Sequence, residues 1–349
     1  MTRASLTERE ERILTAVIRD YVKTARPVSS SAVVKRSGLD VSSATVRNVL
    51  RALEERGLIR QPHTSAGRIP ADEGYRYYVD RLMGPVLLPE RDRARLTAEL
   101  TVLRGHDLAT VLTEVSRMVS DVAHQLAVGL EPAVESSVIE RMEVVPLDAT
   151  RCLAAVSMRS GQTRSTVFEC ASPADRRTAQ AATALLNDWV AGLAVGDAER
   201  LLAAKVEEKD CPFASLLCPL VERWPELFHL HDSERVHYEG ARYMLRHPEF
   251  SDDASILGEI LDSEEALADL VRGPADPQDV AVTIGGENRR KKMSGVSLIV
   301  GSYRVGATVG RIGVIGPTRM RYRRLVGLVG HLSGLLDDFF SSDETGVRR

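Results

Sequence analysis

Apolar positions near the start of the chain fall into three short helical stripes. Ile13, Leu14, Val17, Ile18, Tyr21 and Val22 recur at one-, three- and four-residue steps, which puts them on one face of a helix. Thr7 followed by Glu10 forms a capping box at its start, the hydroxyl and carboxylate each satisfying a free backbone amide, and Arg26-Pro27 ends it. Ser29 to Ser31 can cap a second helix through Val33 and Val34 that stops at Gly38. Ser42 caps a third, in which Val46, Val49, Leu50 and Leu53 form the buried stripe, and Gly57 closes it. Residues 58–61 read as a strand, 62–67 as a turn rich in His, Thr, Ser and Gly, and 68–70 as the returning strand. Helices followed by such a hairpin predict a winged helix-turn-helix.

The polar side of the third helix carries candidate chemistry. Ala44, Arg47, Asn48 and Arg51 lie away from the apolar stripe, with Ser43 and Thr45 in the same first turns. Arg can bond guanine bidentately and Asn adenine, and either can bond phosphate. In a winged helix this helix enters the major groove, while the hairpin, carrying Arg60, His63, Thr64, Ser65 and Arg68, lies along the backbone or the adjacent minor groove. A single polar helix face, taken alone, is more often a solvated surface, and charge helps to decide. The whole chain, with 46 Lys and Arg against 49 Asp and Glu, has a net charge of −3, which argues against a nucleic-acid binder. Residues 1–84 hold 15 Lys and Arg against 10 Asp and Glu, a balance of +5 that leaves −8 on the rest. Positive charge is concentrated where the helix and hairpin lie, which favours DNA binding by that segment.

Beyond the hairpin, Tyr75, Tyr78, Val79, Leu82 and Met83 form a helical stripe read as core in preference to a base-stacking platform. Gly84-Pro85 and Pro89 mark a linker, followed by amphipathic helices over 89–103 and 108–126. Short strands are expected at 142–147, 152–158 and 165–170 and again at 280–284, 295–300 and 309–315, with a long helical stretch between the two groups. The economical reading is one antiparallel sheet with helical cover, interrupted by a helical insertion at 173–232. The domains expected are 1–84, a discontinuous α+β domain over 85–172 and 233–340, the insertion, and a flexible tail at 341–349.

The stretch Gly57-Leu58-Ile59-Arg60-Gln61-Pro62-His63-Thr64-Ser65-Ala66-Gly67-Arg68-Ile69-Pro70, followed by Gly74-Tyr75-Arg76-Tyr77-Tyr78-Val79-Asp80, closely resembles the HrcA family of bacterial heat-inducible transcription repressors. Ser43-Ala44-Thr45-Val46-Arg47-Asn48 looks like that family's recognition-helix start. His247-Pro248-Glu249-Phe250 and Gly313-Val314-Ile315-Gly316-Pro317-Thr318-Arg319-Met320 resemble its middle and carboxy-terminal signatures, so the resemblance runs along nearly the whole chain. Ser29 and Ser31 stand where the family usually has Gly and Arg, which puts one phosphate contact in doubt, and Ser43 stands where Pro is usual. The resemblance implies a GAF-like α+β domain and an insertion that makes a homodimer contact. It also implies double-stranded DNA of the CIRCE inverted-repeat type as operator, upstream of chaperone operons, and a chaperonin that keeps the repressor competent until heat diverts it.

Other chemistries are weaker. Cys211 and Cys218 lie near His229, His231 and His237 but lack the close second pair of a structural zinc site, so packing and surface roles are preferred and no metal or cofactor is expected. Gly285-Gly286-Glu287-Asn288 lacks the Lys-Ser/Thr of a phosphate-binding loop and reads as a hairpin turn, while Arg289-Arg290-Lys291-Lys292 reads as a solvated loop before an auxiliary DNA contact. No nucleophile, base and orienting group can be nominated, so an enzyme is not expected. With no apolar run near the ~20 residues a membrane helix needs, no signal-peptide core and scattered cysteines, a cytoplasmic, nucleoid-associated protein is expected. The alternative kept open is a winged-helix repressor answering to a small molecule or metal bound in the GAF-like domain.

Overall fold

The computed structural model describes residues 5–37, 42–63, 67–84, 86, 88–159, 161–208, 211–228, 235–251, 258, 260–272, 280–288, 293–306 and 308–346. Helices α1 (Glu8–Thr24), α2 (Ser30–Ser37) and α3 (Ser43–Glu55) pack on one another, and strands β1 (Ile59–Arg60) and β2 (Ile69–Pro70) pair antiparallel after them. The caps expected at the helix starts form. Thr7 and Glu10 make the reciprocal capping box, Ser29 Oγ accepts from the Ala32 amide at 3.2 Å, and Ser42 Oγ from the Thr45 amide at 3.1 Å. Gly38, the expected stop of α2, lies outside the described residues, whereas Gly57 follows α3 with φ +72°.

Two glycines let backbones touch around this hairpin. Val28, between α1 and α2, exchanges amide and carbonyl with Arg68 at 2.8 Å each way, and a Cβ on the neighbouring Gly67 would overlap the Val28 carbonyl. A Cβ on Gly74 would likewise overlap the carbonyl of Leu58. The hairpin is thereby pinned to both ends of the helical unit.

Helix α4 (Asp72–Tyr77) continues into a turn of π-helix over Tyr78–Leu82, followed by α5 (Glu90–Val102) and α6 (Leu108–Ala123). Tyr75, Tyr78 and Met83 are buried, as the stripe predicts. Strand β3 (Leu126–Leu130) then enters the interior of a five-stranded sheet, a strand that the sequence pattern did not predict. His124, left-handed at φ 52°, ends α6 two residues before it.

Strands β4 (Ile139–Pro146), β5 (Arg151–Met158) and β6 (Thr163–Glu169) form an antiparallel sheet of three. Its inner face packs on α7 (Arg176–Val190), α8 (Val195–Val206), α9 (Ala214–Glu222) and α10 (Trp224–Phe228) around a core that includes Met142, Val156, Leu186 and Trp224. The one interrupted sheet expected from the sequence is therefore two. These strands complete a unit with the helices that follow them, so the separate unit spans 139–228 and is not the purely helical 173–232. Alternation along a strand shows that one of its faces is buried but not which helices or strands bury it.

The second sheet adds β7 (Val236–Glu239), then, after α11 (Ala241–Met244), α12 (Pro248–Ser251) and α13 (Glu264–Val271), β8 (Ala281–Ile284), β9 (Val296–Val305) and β10 (Thr308–Pro317). Its order is β7-β3-β10-β9-β8, antiparallel throughout. One face is covered by α6 and the long α14 (Tyr322–Gly346), the other by Met244, Phe250, Leu267 and Met293. The apolar core under α14 runs on without a break through Tyr322 and Tyr75 to Leu53 and Ile13 of the amino-terminal helices.

Candidate nucleic-acid interface

Helix α3 is held by its apolar stripe, with Val46, Leu50 and Leu53 buried against α1 and α2. The opposite side presents Ala44, Arg47, Asn48 and Arg51 to solvent. Among the described residues, no hydrogen bond or ion pair engages the side chains of Arg47, Asn48 or Arg51. They project from the start of a helix whose first amides are already capped by Ser42, so the side chains themselves, and not the helix end, are offered outward.

Ser43 and Thr45 are half-buried and otherwise engaged. Ser43 Oγ stands 3.4 Å from Ser30 Oγ, linking the starts of α2 and α3, and Thr45 Oγ1 stands 3.0 Å from Ser42 Oγ. Their hydroxyls set the angle and start of α3. Hence the structure brings the expected set together on one helix but divides it into hydroxyls engaged at the helix start and side chains exposed to solvent.

In the hairpin, Arg60 and His63 are exposed, and Thr64 and Ser65 lie outside the described residues. Arg68 is half-buried, its guanidinium 2.9 Å from the Glu54 carboxylate on α3. That ion pair ties β2 to α3, so a phosphate contact from Arg68, as the sequence pattern led us to expect, competes with it. The pairing was not legible because the two residues lie on different elements at no periodic spacing.

Sequence reading also missed a cleft of about 540 Å³ along α1, lined by Arg19, Lys23 and Arg36 around the largely buried Asp20. Arg36 pairs with Asp20. The four-residue step from Arg19 to Lys23 was the available signal. Other candidates disperse. His237 bonds Glu131 at 2.9 Å and Thr113 at 3.0 Å, away from Cys211 and Cys218, and His229 and His231 lie outside the described residues, as does the run 289–292. Among the described residues, no group of three or more His, Cys, Asp and Glu could hold a metal ion. No described helix is long and apolar enough to cross a membrane.

The helical unit is braced against the five-stranded sheet by charged contacts. Arg76 Nε donates to Glu287 at 2.8 Å and its Nη2 to the Val282 carbonyl at 2.6 Å, while Asp72 accepts from the Gly286 amide at 2.9 Å. Arg319 Nε donates to Glu249 at 2.7 Å and its Nη1 to the Val22 carbonyl of α1 at 3.2 Å. Burial pushes the Glu249 carboxyl up, but the hydrogen bond and charge of Arg319, with backbone bonding, outweigh it and hold the carboxyl below its ordinary value. Glu287 is likewise held low, Arg76 and the Ile284 amide overcoming its burial.

Known proteins agree with this architecture. The family model described as HrcA protein C terminal domain matches residues 109–326. Heat-inducible transcription repressors HrcA of Chlorobium limicola and Geobacter sulfurreducens are 33% and 32% identical to it, covering 98% and 95% of this chain and 99% and 97% of their own lengths. The repressor of the same name from Symbiobacterium thermophilum is 33% identical across 95% of this chain and 98% of its own. A crystal structure described as that of a hypothetical protein shares the fold, with a TM-score of 0.60 at 23% identity over 97% of this chain and 99% of its own. The chain belongs to the HrcA family of heat-inducible transcription repressors.

Proposed function

We propose that this protein is a DNA-binding transcriptional repressor of heat-shock chaperone operons that engages an inverted-repeat operator as a homodimer. Residues 5–84 are its winged helix-turn-helix, with α3 in the major groove and the hairpin along the backbone. The observation that carries this reading is the capped α3 presenting Arg47, Asn48 and Arg51 without a partner among the described residues, within residues 1–84, which carry a net charge of +5. Repression is the activity named for its relatives. Release on heat and support by a chaperonin belong to the same proposal.

Pairing of two subunits is assigned to the unit 139–228. Among the described residues its sheet is covered by helices on one side, and on the other Val145, Leu153 and Val167 stand in one cross-strand row, with Leu147 beside them. Val145, Leu147 and Val167 are 41%, 51% and 49% exposed, a cluster that water does not favour. Symmetry then matches two heads to two half-sites. The five-stranded sheet corresponds to the GAF-like domain. A ligand-controlled reading would place an effector there, yet both its faces are already packed with buried apolar side chains.

The test is a salt-dependent titration of the purified protein on a palindromic operator and on random DNA, with and without chaperonin. Operator binding about 10³-fold or more above random DNA, with a steep salt slope, is the expected result. Equal affinity for both DNAs would overturn the reading.

A further inference from the structure

Three of the segments that carry the family resemblance lie away from the DNA-facing surface, and the fold brings them to one place. Helix α4, from the segment after the hairpin, supplies Asp72, Tyr75 and Arg76. The loop and short helix at 247–250 supply Glu249. The end of β10 and the start of α14 supply Arg319 and Tyr322. All of them stand at the junction between the amino-terminal helices and the five-stranded sheet.

The contacts there are more specific than packing alone requires. Arg76 grips both carboxylate oxygens of Glu287 and a strand carbonyl on β8. A Cβ at Gly285 would collide with the Asp72 carboxylate, so the turn after β8 is shaped to receive α4. Tyr75 packs on Tyr322 with ring centroids 5.6 Å apart, and the Tyr322 hydroxyl is fixed in turn by Ser297 at 2.8 Å and the Thr318 carbonyl at 2.7 Å. Arg319, its side chain only 12% exposed, spans Glu249 of the body and the Val22 carbonyl of α1. The head is thus held at two separated points, the last turns of α1 and the start of α4. Two such points, one on each element, fix orientation as well as distance.

We propose that Arg76–Glu287 and Arg319–Glu249 are positioning pairs that set the angle and spacing of the DNA-reading head on the body, and so the half-site spacing that a dimer accepts. Neither pair touches DNA. Two sites engaged together gain about 10²–10⁴ over one only if geometry lets both seat at once. Loss of either pair therefore leaves each head able to bind while removing the register between the two. This rests on the dimeric repressor reading above.

The experiment measures binding of the full-length protein to a single half-site and to palindromes whose spacer is varied in single base-pair steps over a helical turn. For the natural protein, a sharp optimum is expected. Glu249→Gln and Glu287→Gln should keep half-site affinity within about twofold, lose about 10- to 100-fold on the optimal palindrome, and flatten the spacer profile. If circular dichroism and sedimentation show the Gln variants folded and dimeric while they retain the natural spacer profile, the positioning role is overturned. A flat profile in the natural protein would instead sink the dimeric reading beneath it.

Discussion

Arg47 and Asn48 differ from Arg68 in what each has left to offer. The first two project from α3 with no partner among the described residues, whereas Arg68 is engaged with Glu54 at 2.9 Å. Arg47→Ala or Asn48→Ala should each weaken operator binding by about 1–3 kcal/mol while barely changing affinity for random DNA, in a competition titration. Equal loss on both DNAs would move the residue to phosphate binding. Arg68→Ala should act differently: it frees β2 from α3, so affinity falls with little change in salt slope, and Glu54→Gln should reproduce it. A slope reduced by about one charge in Arg68→Ala alone would restore the direct contact. The outward face of α3 was legible because capping and a 3.6-residue period fix which side is buried. The Arg68 pairing was not, since no local rule joins positions 54 and 68.

Among the elements, those built from local signals were readable and those built from distant partners were not. The helices α1 and α3 and the hairpin follow from caps, glycines and period. Strand β3 did not, because it lies between β7 and β10 with all five residues buried, so it reads as an apolar run continuing α6. Strand β7 follows an unpatterned stretch and shows only Val236 buried. The division into two sheets was likewise hidden, since alternation does not name a strand's partner. The open face of the three-stranded sheet was not anticipated either, and it carries its own prediction. Val167→Asp, at an exposed position of this fold, should leave the monomer folded but shift it to the monomeric state in analytical ultracentrifugation. A dimer of unchanged stability would place the pairing surface elsewhere.

At the scale of the whole molecule, the junction makes the assembly sensitive to acid. Glu249 and Glu287 sit below their ordinary carboxyl values, and burial lowers the His247 imidazole beside Glu249. In all three cases the folded group binds its proton less readily than the unfolded one. The stability they contribute is thus present above the unfolded value and lost as pH falls through the folded one. Around Glu249 stand Arg319, His247, Tyr21 and Tyr75, so its protonation leaves Arg319 without its counter-charge. As pH falls below the ordinary imidazole value of 6.5 the junction should loosen first through His247, and through the two carboxylates only below their ordinary value of 4.5. The two tryptophans, Trp189 and Trp224, both lie in the separate 139–228 unit and provide an internal control. Protease cleavage near residue 85 should therefore rise at a pH where tryptophan fluorescence is still native. Simultaneous change in both would mean that the molecule titrates as a single unit.

The place of β3 has a consequence for how the chain acquires its shape. Its neighbours in the sheet are β7 and β10, the latter pairing Leu126–Leu130 with residues 311–315. A ribosome emitting about 5–20 residues per second completes the amino-terminal helices and α6 many seconds before β10 exists. During that interval β3 has no partner at all until β7 is made and lacks its β10 partner throughout, and long-range antiparallel pairing of this kind is slow even once the chain is whole. The nascent repressor therefore passes through a state with an uncovered apolar edge, the kind of surface that a folding cage encloses. Were such a repressor to depend on a chaperonin, the order of its strands would supply the exposed apolar surface without a dedicated recognition site.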